Sequence, residues 1–214
     1  TTVSLRYGIS LISEEQAEKN LHRELKDYNI KALAEAGRRV WNETLGRIKV
    51  EGGTEDDKTV FYSSFYRTFE RPICMSEDGR YFSAFDGKVH EDNGTPFYND
   101  DWIWDTYRAA HPLRTLIDRQ KEEDIIASYL RMAEQMGNMW MPTFPEVTGD
   151  TRRMNSNHAV ATIADALAKG LKVDTVKAYE ACRKGMEEKT LAPWSGAAAG
   201  WLDMFYHENG YIPA

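Results

Sequence analysis

The feature that most constrains this chain is a series of helical segments, each with its own start and stop signals. Apolar residues recur at helical spacing after Ser13, after Asn29 and after the Asp56-Asp57 pair. Serine, asparagine and aspartate are residue types that commonly begin helices. The third of these helices is predicted to run from about residue 58 to residue 71. Successive helices of about twelve to eighteen residues, joined by short connections, predict antiparallel pairs and a mainly α fold.

Further helices are predicted along the rest of the chain. The fourth covers Tyr98–Pro112, a stretch rich in aromatic and acidic residues, with Pro112 as the expected position of a kink. The fifth to the eighth are expected at Glu122–Met136, at His158–Lys169, from Asp174 to about residue 189, and at Gly200–His207. No repeat of fixed length is visible, so a regular solenoid is not predicted.

Three segments depart from the helical pattern. Val3–Leu11 alternates apolar and polar residues and is predicted to be a strand. Arg80–Asp92 is predicted to be a β-hairpin that turns at Asp86-Gly87. Met139–Asn157 contains two prolines and a glycine. It is predicted to be a long loop of the kind that often carries function.

Composition excludes several classes of protein. The 214 residues are 42% hydrophobic and carry a formal net charge of −7, without a basic cluster that would indicate a nucleic-acid surface. Apolar runs are too short for a membrane span, and the first residues do not form a signal peptide. Both ends resemble cut boundaries. Cys74 and Cys182 define neither a metal site nor a disulfide framework and are expected to be free, buried thiols.

The predicted fourth helix is also the richest candidate for a binding site. Helical spacing would place Trp104 near Arg108, and Asp101 near Asp105. Aromatic faces beside carboxylates suit a carbohydrate, which has apolar ring faces and hydroxyl groups at its edges. An amphipathic helix that buries its tryptophans and pairs Asp105 with Arg108 explains the same pattern. Both interpretations remain open.

Carboxylates are the groups that glycoside hydrolysis would need. Inverting hydrolysis uses two of them, about 6.5–9.5 Å apart. The candidates near aromatic positions are Asp86, Asp101, Asp105, Glu146 and Asp150. None stands in a pattern that identifies a catalytic residue. Asp105 is best placed to accept hydrogen bonds from sugar hydroxyls, with Trp104 or Trp102 offering a ring face.

Other chemistry finds little support in the sequence. His158 stands at the start of a predicted helix, either as a neutral histidine that hydrogen-bonds the preceding loop or as a ligand-binding residue. No other histidine stands at a metal-ligand spacing from it, so no zinc site is expected. The chain also lacks a serine nucleophile elbow, a phosphate-binding glycine loop and a dinucleotide fingerprint.

Several segments together are similar to one known family. They are FYSSFYRTF (61–69), DGRYFSAFDGKVH (78–90), WDTYRAAHPL (104–113), Met154 with His158, IADALAKG (163–170), AYEA (178–181) and GYIP (210–213). In this order they resemble glycoside hydrolase family 92. The opening GISLISEEQAEKNL (8–21) resembles the passage of that family from a β-sandwich into linker helices.

The resemblance implies a division of the chain. Residues 1–12 would be the end of an N-terminal β-sandwich strand, residues 13–54 linker helices, and residues 55–214 the first part of an (α/α)6 toroid catalytic domain. The expected fold is therefore mainly α, a partial (α/α)6 toroid with linker helices and a small β-hairpin. Such a chain would be a fragment whose partner is the remainder of its own chain.

The resemblance also implies a function. Members of the family are calcium-dependent, inverting exo-α-mannosidases, many of them specific for α-1,2 linkages. A mannose-containing glycan is therefore the expected substrate, and calcium the expected cofactor. Trp104 and Asp105 match residues that contact the terminal mannose, whereas the catalytic acid and base and most calcium ligands are expected beyond Ala214. An extracytoplasmic location, periplasmic or secreted, follows by analogy.

One short segment departs from the pattern of the family. Asn155-Ser156-Asn157 stand between Met154 and His158, where the family commonly has a glycine-containing turn. This change would alter a sugar-facing loop. The alternative function is therefore a non-catalytic carbohydrate-binding module or a helical interaction module.

Overall fold

The computed structural model describes residues 3–154, 157–188, 205–206 and 208–212. Its helices and strands, in chain order, are α1 (Glu14–Glu24), α2 (Ile30–Leu45), α3 (Glu55–Arg67), β1 (Ile73–Cys74), β2 (Arg80–Ser83), β3 (Lys88–Glu91), β4 (Tyr98–Asn99), α4 (Ile103–Thr106), α5 (Ala110–Ile117), α6 (Arg119–Gln135), β5 (Pro145–Glu146), β6 (Gly149–Asp150), α7 (His158–Ala168) and α8 (Thr175–Glu188). In this part of the chain the strands form two-stranded antiparallel pairs, β1 with β4, β2 with β3 and β5 with β6. The prediction of a mainly α fold is confirmed.

The strand predicted over residues 3–11 is not formed. No strand among the described residues pairs with this segment, and alternation alone cannot supply the hydrogen bonds that a strand needs. Its apolar side chains are exposed, Val3 at 86% and Ile9 at 78%. The segment is anchored to α1, where the Asn20 side chain donates a hydrogen bond to the Ile9 carbonyl at 3.1 Å.

The first two helices begin at the predicted caps. Ser13 and Asn29 accept hydrogen bonds from the backbone N–H groups three residues further on, each at 3.1 Å. The prediction for α3 is wrong at both ends, because its cap is Thr54, two residues before the predicted pair, and the helix ends at Arg67 instead of near residue 71. The Thr54 hydroxyl accepts from the Asp57 N–H at 3.1 Å, and the Asp57 carboxylate accepts from the Thr54 N–H at 2.9 Å. This reciprocal capping box makes Asp57 the third helical residue instead of the cap.

The predicted β-hairpin is confirmed. Strands β2 and β3 pair in antiparallel register from Arg80 opposite Glu91 to Ser83 opposite Lys88, and the Asp86-Gly87 pair lies in the turn. Tyr81 is 1% exposed and stacks on Phe97, with ring centroids 4.1 Å apart. The hairpin therefore presents one side to the core and the other to solvent.

The stretch Tyr98–Pro112 is not the single helix that its spacing predicts. Its first two residues form β4, paired with β1, and Asp100 adopts a positive φ of 60° that ends the strand. The short helix α4 follows, and α5 is a separate helix. Pro112 lies in the first turn of α5, where a residue without an N–H is tolerated, so it does not kink a longer helix. Pairs of residues spaced by four across this stretch are therefore not all on one helical face.

Helix α6 lies at the centre of the core. Its buried residues lie on several faces because α5, α7, α8 and β4 all contact it. The fully buried apolar side chains of this helix are Ile125, Ile126, Tyr129, Leu130, Met132 and Ala133. Their removal from water is the main stabilising contribution to this region, about 1.5–3 kcal/mol for each large apolar side chain. The position of a side chain on α6 is thus fixed relative to the rest of the fold.

Most of the helices predicted for the second half of the chain are present in the structure. The fifth, sixth and seventh predicted helices correspond to α6, α7 and α8, and the Asp174 carboxylate accepts from the Lys177 N–H at 3.1 Å at the start of α8. The loop from 139 to 157 contains the small β5–β6 pair. The predicted eighth helix falls partly outside the described residues. The toroid and the boundaries at residues 12 and 54 remain predictions.

The cysteines are free, as predicted, but only one of them is sheltered. Cys74 on β1 is exposed, and Cys182 on α8 is half-buried. Burial raises the pKa of the Cys182 thiol to about 11. The prediction that both thiols are buried is therefore wrong for Cys74.

Candidate functional site

Helix α4 carries the two residues matched to sugar contacts. It is one turn long, with the Asp105 and Thr106 N–H groups donating to the Trp102 carbonyl at 2.8 and 3.0 Å. Trp104 is half-buried and Asp105 is exposed. Because consecutive helical residues point about 100° apart, the two side chains have different surroundings.

Trp104 belongs to an aromatic cluster, which we define as Trp104, Tyr107 and His158. The Tyr107 and His158 rings stack with centroids 3.9 Å apart, and the Trp104 ring lies edge-on to His158 at 5.1 Å. The Arg108 guanidinium lies over both Tyr107 and Trp104, at 4.8 and 5.3 Å. The cluster joins α4 to the start of α7.

The surroundings of His158 in this cluster favour its neutral form. Burial, followed by the nearby Arg108 charge, lowers the pKa of His158. Its Nε2 atom is buried and has no hydrogen-bond partner among the described residues. The hydrogen bond to the loop that one interpretation of the sequence expects is therefore not made at this atom.

Asp105 borders a shallow cavity of about 170 Å³ on another side of α4. The lining residues are Arg67, Thr68, Glu70, Arg71, Trp102, Asp105, Thr106 and Ala110. In the described part of the chain the Asp105 carboxylate makes no ion pair. The pair with Arg108 that the sequence suggests is not formed, and the Arg108 guanidinium instead donates to the Trp104 carbonyl at 2.8 Å. The carboxylate is thus available to a ligand.

Trp102 packs against two other side chains. The Arg71 guanidinium lies 3.8 Å from its ring centroid, and the Phe144 ring stacks on it at 5.6 Å. Arg71 is itself held by an ion pair with Asp100. Protein groups therefore contact the rings of both Trp102 and Trp104, and 36% of Trp102 remains exposed.

Asp101 lies in a buried charge cluster, which we define as Asp101, His111, Glu122 and Tyr129. His111 Nε2 lies 3.0 Å from Asp101 Oδ2, and His111 Nδ1 lies 2.8 Å from Glu122 Oε1. The Tyr129 hydroxyl donates to Asp101 Oδ2 and contacts His111 Nε2 at 3.1 Å. All four side chains are at most 1% exposed.

The ionisation states of this cluster follow from its geometry. Burial alone would raise the pKa of Asp101, but the charge and hydrogen bond of His111 outweigh it and lower the pKa to about 2. Burial alone would lower the pKa of His111, but Asp101 and Glu122 on either side raise it to about 9. Burial also raises the pKa of Tyr129 well above its ordinary value. At neutral pH the cluster therefore holds a charged histidine between two carboxylates.

The sequence interpretation missed His111, Glu122 and Tyr129. A usable signal was present in α6, where Glu122 shares the i, i+3, i+4, i+7 stripe of Ile125, Ile126 and Tyr129. A carboxylate on an apolar stripe predicts a buried, charged partner. The identity of that partner depends on tertiary packing and could not be predicted.

The other candidate carboxylates are engaged in local structure and are not brought together with Asp105. Asp86 lies 2.9 Å from the His90 Nε2 atom in the hairpin. Asp150 accepts hydrogen bonds from the Thr143 and Phe144 N–H groups at 3.0 and 2.8 Å, which closes the β5–β6 loop. Glu146 lies 3.7 Å from Arg153.

The described residues do not fit a calcium site of the usual carboxylate type. Among them no group of three or more His, Cys, Asp or Glu side chains is arranged to hold a metal ion. Hard cations such as calcium take six to eight oxygen ligands, usually including several carboxylates. This part of the chain therefore does not form such a site by itself. Nor does any helix in the described ranges have the length and apolar character needed to cross a membrane.

The fold and the site can now be compared with known proteins. The profile described as "Glycosyl hydrolase family 92 catalytic domain" matches residues 16–214. The helical arrangement and the α4 region thus lie within the catalytic domain of a glycosidase family. The chain belongs to glycosyl hydrolase family 92, and the family resemblance seen in the sequence is confirmed.

Solved structures of this family have the same fold. The family GH92 inverting mannosidase BT2199 from Bacteroides thetaiotaomicron is 34% identical, with a TM-score of 0.81 over 95% of this chain and 27% of its own. The α-mannosidase BT3965 from the same organism, in complex with mannoimidazole, is 27% identical, with a TM-score of 0.82 over 95% of this chain and 26% of its own.

A curated relative from a second organism also matches the chain. A protein of Arthroderma benhamiae described as an uncharacterized secreted glycosidase is 26% identical over 218 residues, covering 100% of this chain and 24% of its own length. The chain therefore spans about a quarter of the length of the relatives that it matches.

Proposed function

We propose that this chain is part of an enzyme that removes terminal α-linked mannose from glycans. The observation that carries the proposal is the family match over residues 16–214. It is supported by two related structures that are named as mannosidases, one of them bound to mannoimidazole. The chain itself supplies the α4 region as one wall of the sugar site.

Trp104 and Asp105 are the residues proposed to contact the terminal mannose. An ionised carboxylate accepts hydrogen bonds from two neighbouring hydroxyls, and bonds of this kind are stronger than neutral ones. Asp105 is exposed and makes no ion pair with the described residues, so it can do this, whereas the buried Asp101 cannot. The Trp104 ring offers an apolar surface to a sugar face.

The finer features of the reaction also belong to the proposal. Inversion would require a general acid to protonate the leaving oxygen and a general base to activate a water molecule on the opposite face. We assign both carboxylates to the remainder of the protein, together with most of the ligands of a calcium ion. A preference for α-1,2 linkages is part of the same proposal.

The proposed location is outside the cytoplasm, either periplasmic or secreted. The support is the relative from Arthroderma benhamiae, which is described as secreted. Polymeric and protein-linked mannose is accessible to an enzyme in such a location.

The test is an assay of the whole protein on α-1,2-, α-1,3- and α-1,6-linked mannobiosides. We expect release of mannose, fastest from the α-1,2 linkage, with β-mannose as the first anomer seen by proton NMR. We also expect the activity to fall on treatment with a calcium chelator and to return on addition of calcium. Absence of mannose release from every linkage would favour the alternative of a non-catalytic module. Initial release of α-mannose would contradict inversion.

A further inference from the structure

Helix α4 is too short to fix its own position. It has four residues, and no side chain caps its N-terminus. An isolated turn of helix is unstable in water because nucleation costs more than one hydrogen bond returns. Its orientation, and with it the direction of Trp104 and Asp105, must come from contacts outside the helix.

The charge cluster holds α4 from both of its ends. Asp101 lies two residues before the helix, and the hydroxyl of Thr106, the last helical residue, donates to Asp101 Oδ1 at 2.8 Å. The other oxygen of Asp101 is held by His111 at 3.0 Å and by the Tyr129 hydroxyl. One buried carboxylate therefore joins the two ends of α4 to α5 and α6.

The far side of the cluster is anchored in the core. His111 on α5 contacts Glu122 on α6 at 2.8 Å, so its ring is fixed by a carboxylate on each side. Glu122 and Tyr129 stand seven residues apart on α6, the most buried helix of the described fold. Both ring nitrogens of His111 donate to carboxylates, which fixes the orientation of the ring as well as its charge.

We propose that the charge cluster fixes the orientation of α4, and with it the directions of Trp104 and Asp105, with Tyr129 and Thr106 as positioning residues that act through Asp101. This inference rests on the proposed function, because it assigns a role in sugar recognition to groups that no sugar touches. Tyr129 is fully buried and acts only through the protein. Thr106 also borders the cavity beside Asp105, so Tyr129 provides the cleaner test.

The first test does not depend on activity. Amide hydrogen exchange of the whole protein is compared for Tyr129→Phe and for the matched control Tyr81→Phe, which removes a buried hydroxyl bonded to Gln135 at 2.9 Å. We expect about tenfold faster exchange at the α4 amides of residues 105–107 in Tyr129→Phe only, as for the loss of a hydrogen bond to a charged group. Unchanged exchange there, or equal acceleration in both variants, would overturn the proposal.

The second test measures mannose release by the same variants. We expect kcat/KM to fall about tenfold in Tyr129→Phe and to stay near the wild-type value in Tyr81→Phe. In the background of Asp105→Ala, Tyr129→Phe should cause a smaller loss than in the wild-type protein, because the part of its effect that acts through Asp105 is already absent. Fully additive losses would contradict an action through Asp105.

Variants at Thr106 provide a second route if Tyr129→Phe does not fold. Thr106→Val removes the hydroxyl that bonds Asp101, and Thr106→Ser keeps it. We expect the valine variant to show faster α4 exchange and the serine variant to restore wild-type exchange. Equal exchange in the two variants would count against the proposal. Lack of mannose release by the wild-type protein, with the α4 exchange behaving as expected, would reject the proposed function and leave the positioning of α4 intact.

Discussion

Asp101 and Asp105 are four residues apart and have opposite surroundings. Asp101 is fully buried, and both of its oxygens are held by neighbouring side chains. Asp105 is exposed beside a cavity of about 170 Å³. A carboxylate already bonded on both oxygens cannot bind a sugar without leaving buried donors unpaired, which costs about 1–3 kcal/mol for each donor. The positioning role proposed for Asp101 and the sugar-binding role proposed for Asp105 follow from this difference.

Asp105→Ala should separate sugar binding from folding. We expect kcat/KM for mannose release by the whole protein to fall about a hundredfold, because hydrogen bonds from the sugar to a charged acceptor are lost. The stability should change little, since the side chain is exposed and unpaired in the described structure. Steady-state kinetics and thermal unfolding measure the two effects. The control is Asp56→Ala, an exposed aspartate on α3; an equal loss of activity there would remove Asp105 from the site.

At the residue level, local sequence patterns identified candidate residues but did not predict which side chains surround them. Helical spacing leaves Asp101 and Trp102 open to either a structural or a binding role, and only the family resemblance selects Trp104 and Asp105 for sugar contact. The structure shows what holds Asp101 and Trp102. Asp101 contacts the buried His111, and the Arg71 guanidinium and the Phe144 ring stack on Trp102. Sequence alone could not predict these contacts because the partners lie on other elements.

Among the elements, the helices with local start signals were the easiest to predict. Ser13, Asn29 and Asp174 each bond a backbone N–H within one turn, so their effect is visible in a short window of sequence. The break between β4 and α4 was not visible. It depends on the pairing of β4 with the distant strand β1 and on the positive φ of Asp100. Non-local pairing of this kind overrides helical spacing.

The capping box of α3 gives a quantitative expectation for one element. Thr54→Ala should lower the stability of the 214-residue chain by about 1 kcal/mol, because the hydroxyl that bonds the Asp57 N–H and the Asp57 carboxylate is lost. The matched control is Thr59→Ala in the same helix, where the hydroxyl only bonds the Glu55 carbonyl. Alanine favours a helix interior, so this control should be neutral or slightly stabilising. Urea denaturation measures both variants; equal effects would contradict the capping role of Thr54.

The charge cluster that joins α4, α5 and α6 predicts a pH dependence of stability. The pKa of His111 is raised from 6.5 to about 9, so its contribution is complete below about pH 6.5 and is lost as the pH rises through 9. The pKa of Asp101 is lowered from 3.8 to about 2, so its contribution is complete above about pH 4 and is lost as the pH falls through 2. This cluster should therefore stabilise the chain most between about pH 4 and 6.5.

Unfolding measured as a function of pH tests this expectation. His111→Gln should lower stability and remove the decline between pH 6.5 and 9, because no titrating group remains between the two carboxylates. The control His22→Gln removes an exposed ion pair with Glu18 at 3.6 Å and should preserve the decline. Identical alkaline profiles for the two variants would show that His111 does not carry the effect.

For the molecule as a whole, the decisive property is its length relative to the proteins that it matches. The chain covers 24–27% of the relatives that it matches. Among its described residues no group of three or more His, Cys, Asp or Glu side chains is arranged to hold a metal ion, and the proposed catalytic carboxylates are assigned to the remainder of the protein. We expect the isolated 214-residue chain to release no mannose from α-linked mannobiosides even with added calcium. Detection of calcium-dependent release above a no-protein control would contradict this expectation.

The unpaired segment of residues 3–11 has a consequence for the behaviour of the isolated chain in solution. Its alternating apolar side chains are exposed, and its backbone has no strand partner in the described structure. An apolar run of this kind can pair with the same run of a neighbouring molecule. Self-association should therefore rise with protein concentration and weaken when residues 3–11 are removed. Light scattering over a dilution series measures this, and concentration-independent scattering of the 214-residue chain would count against it.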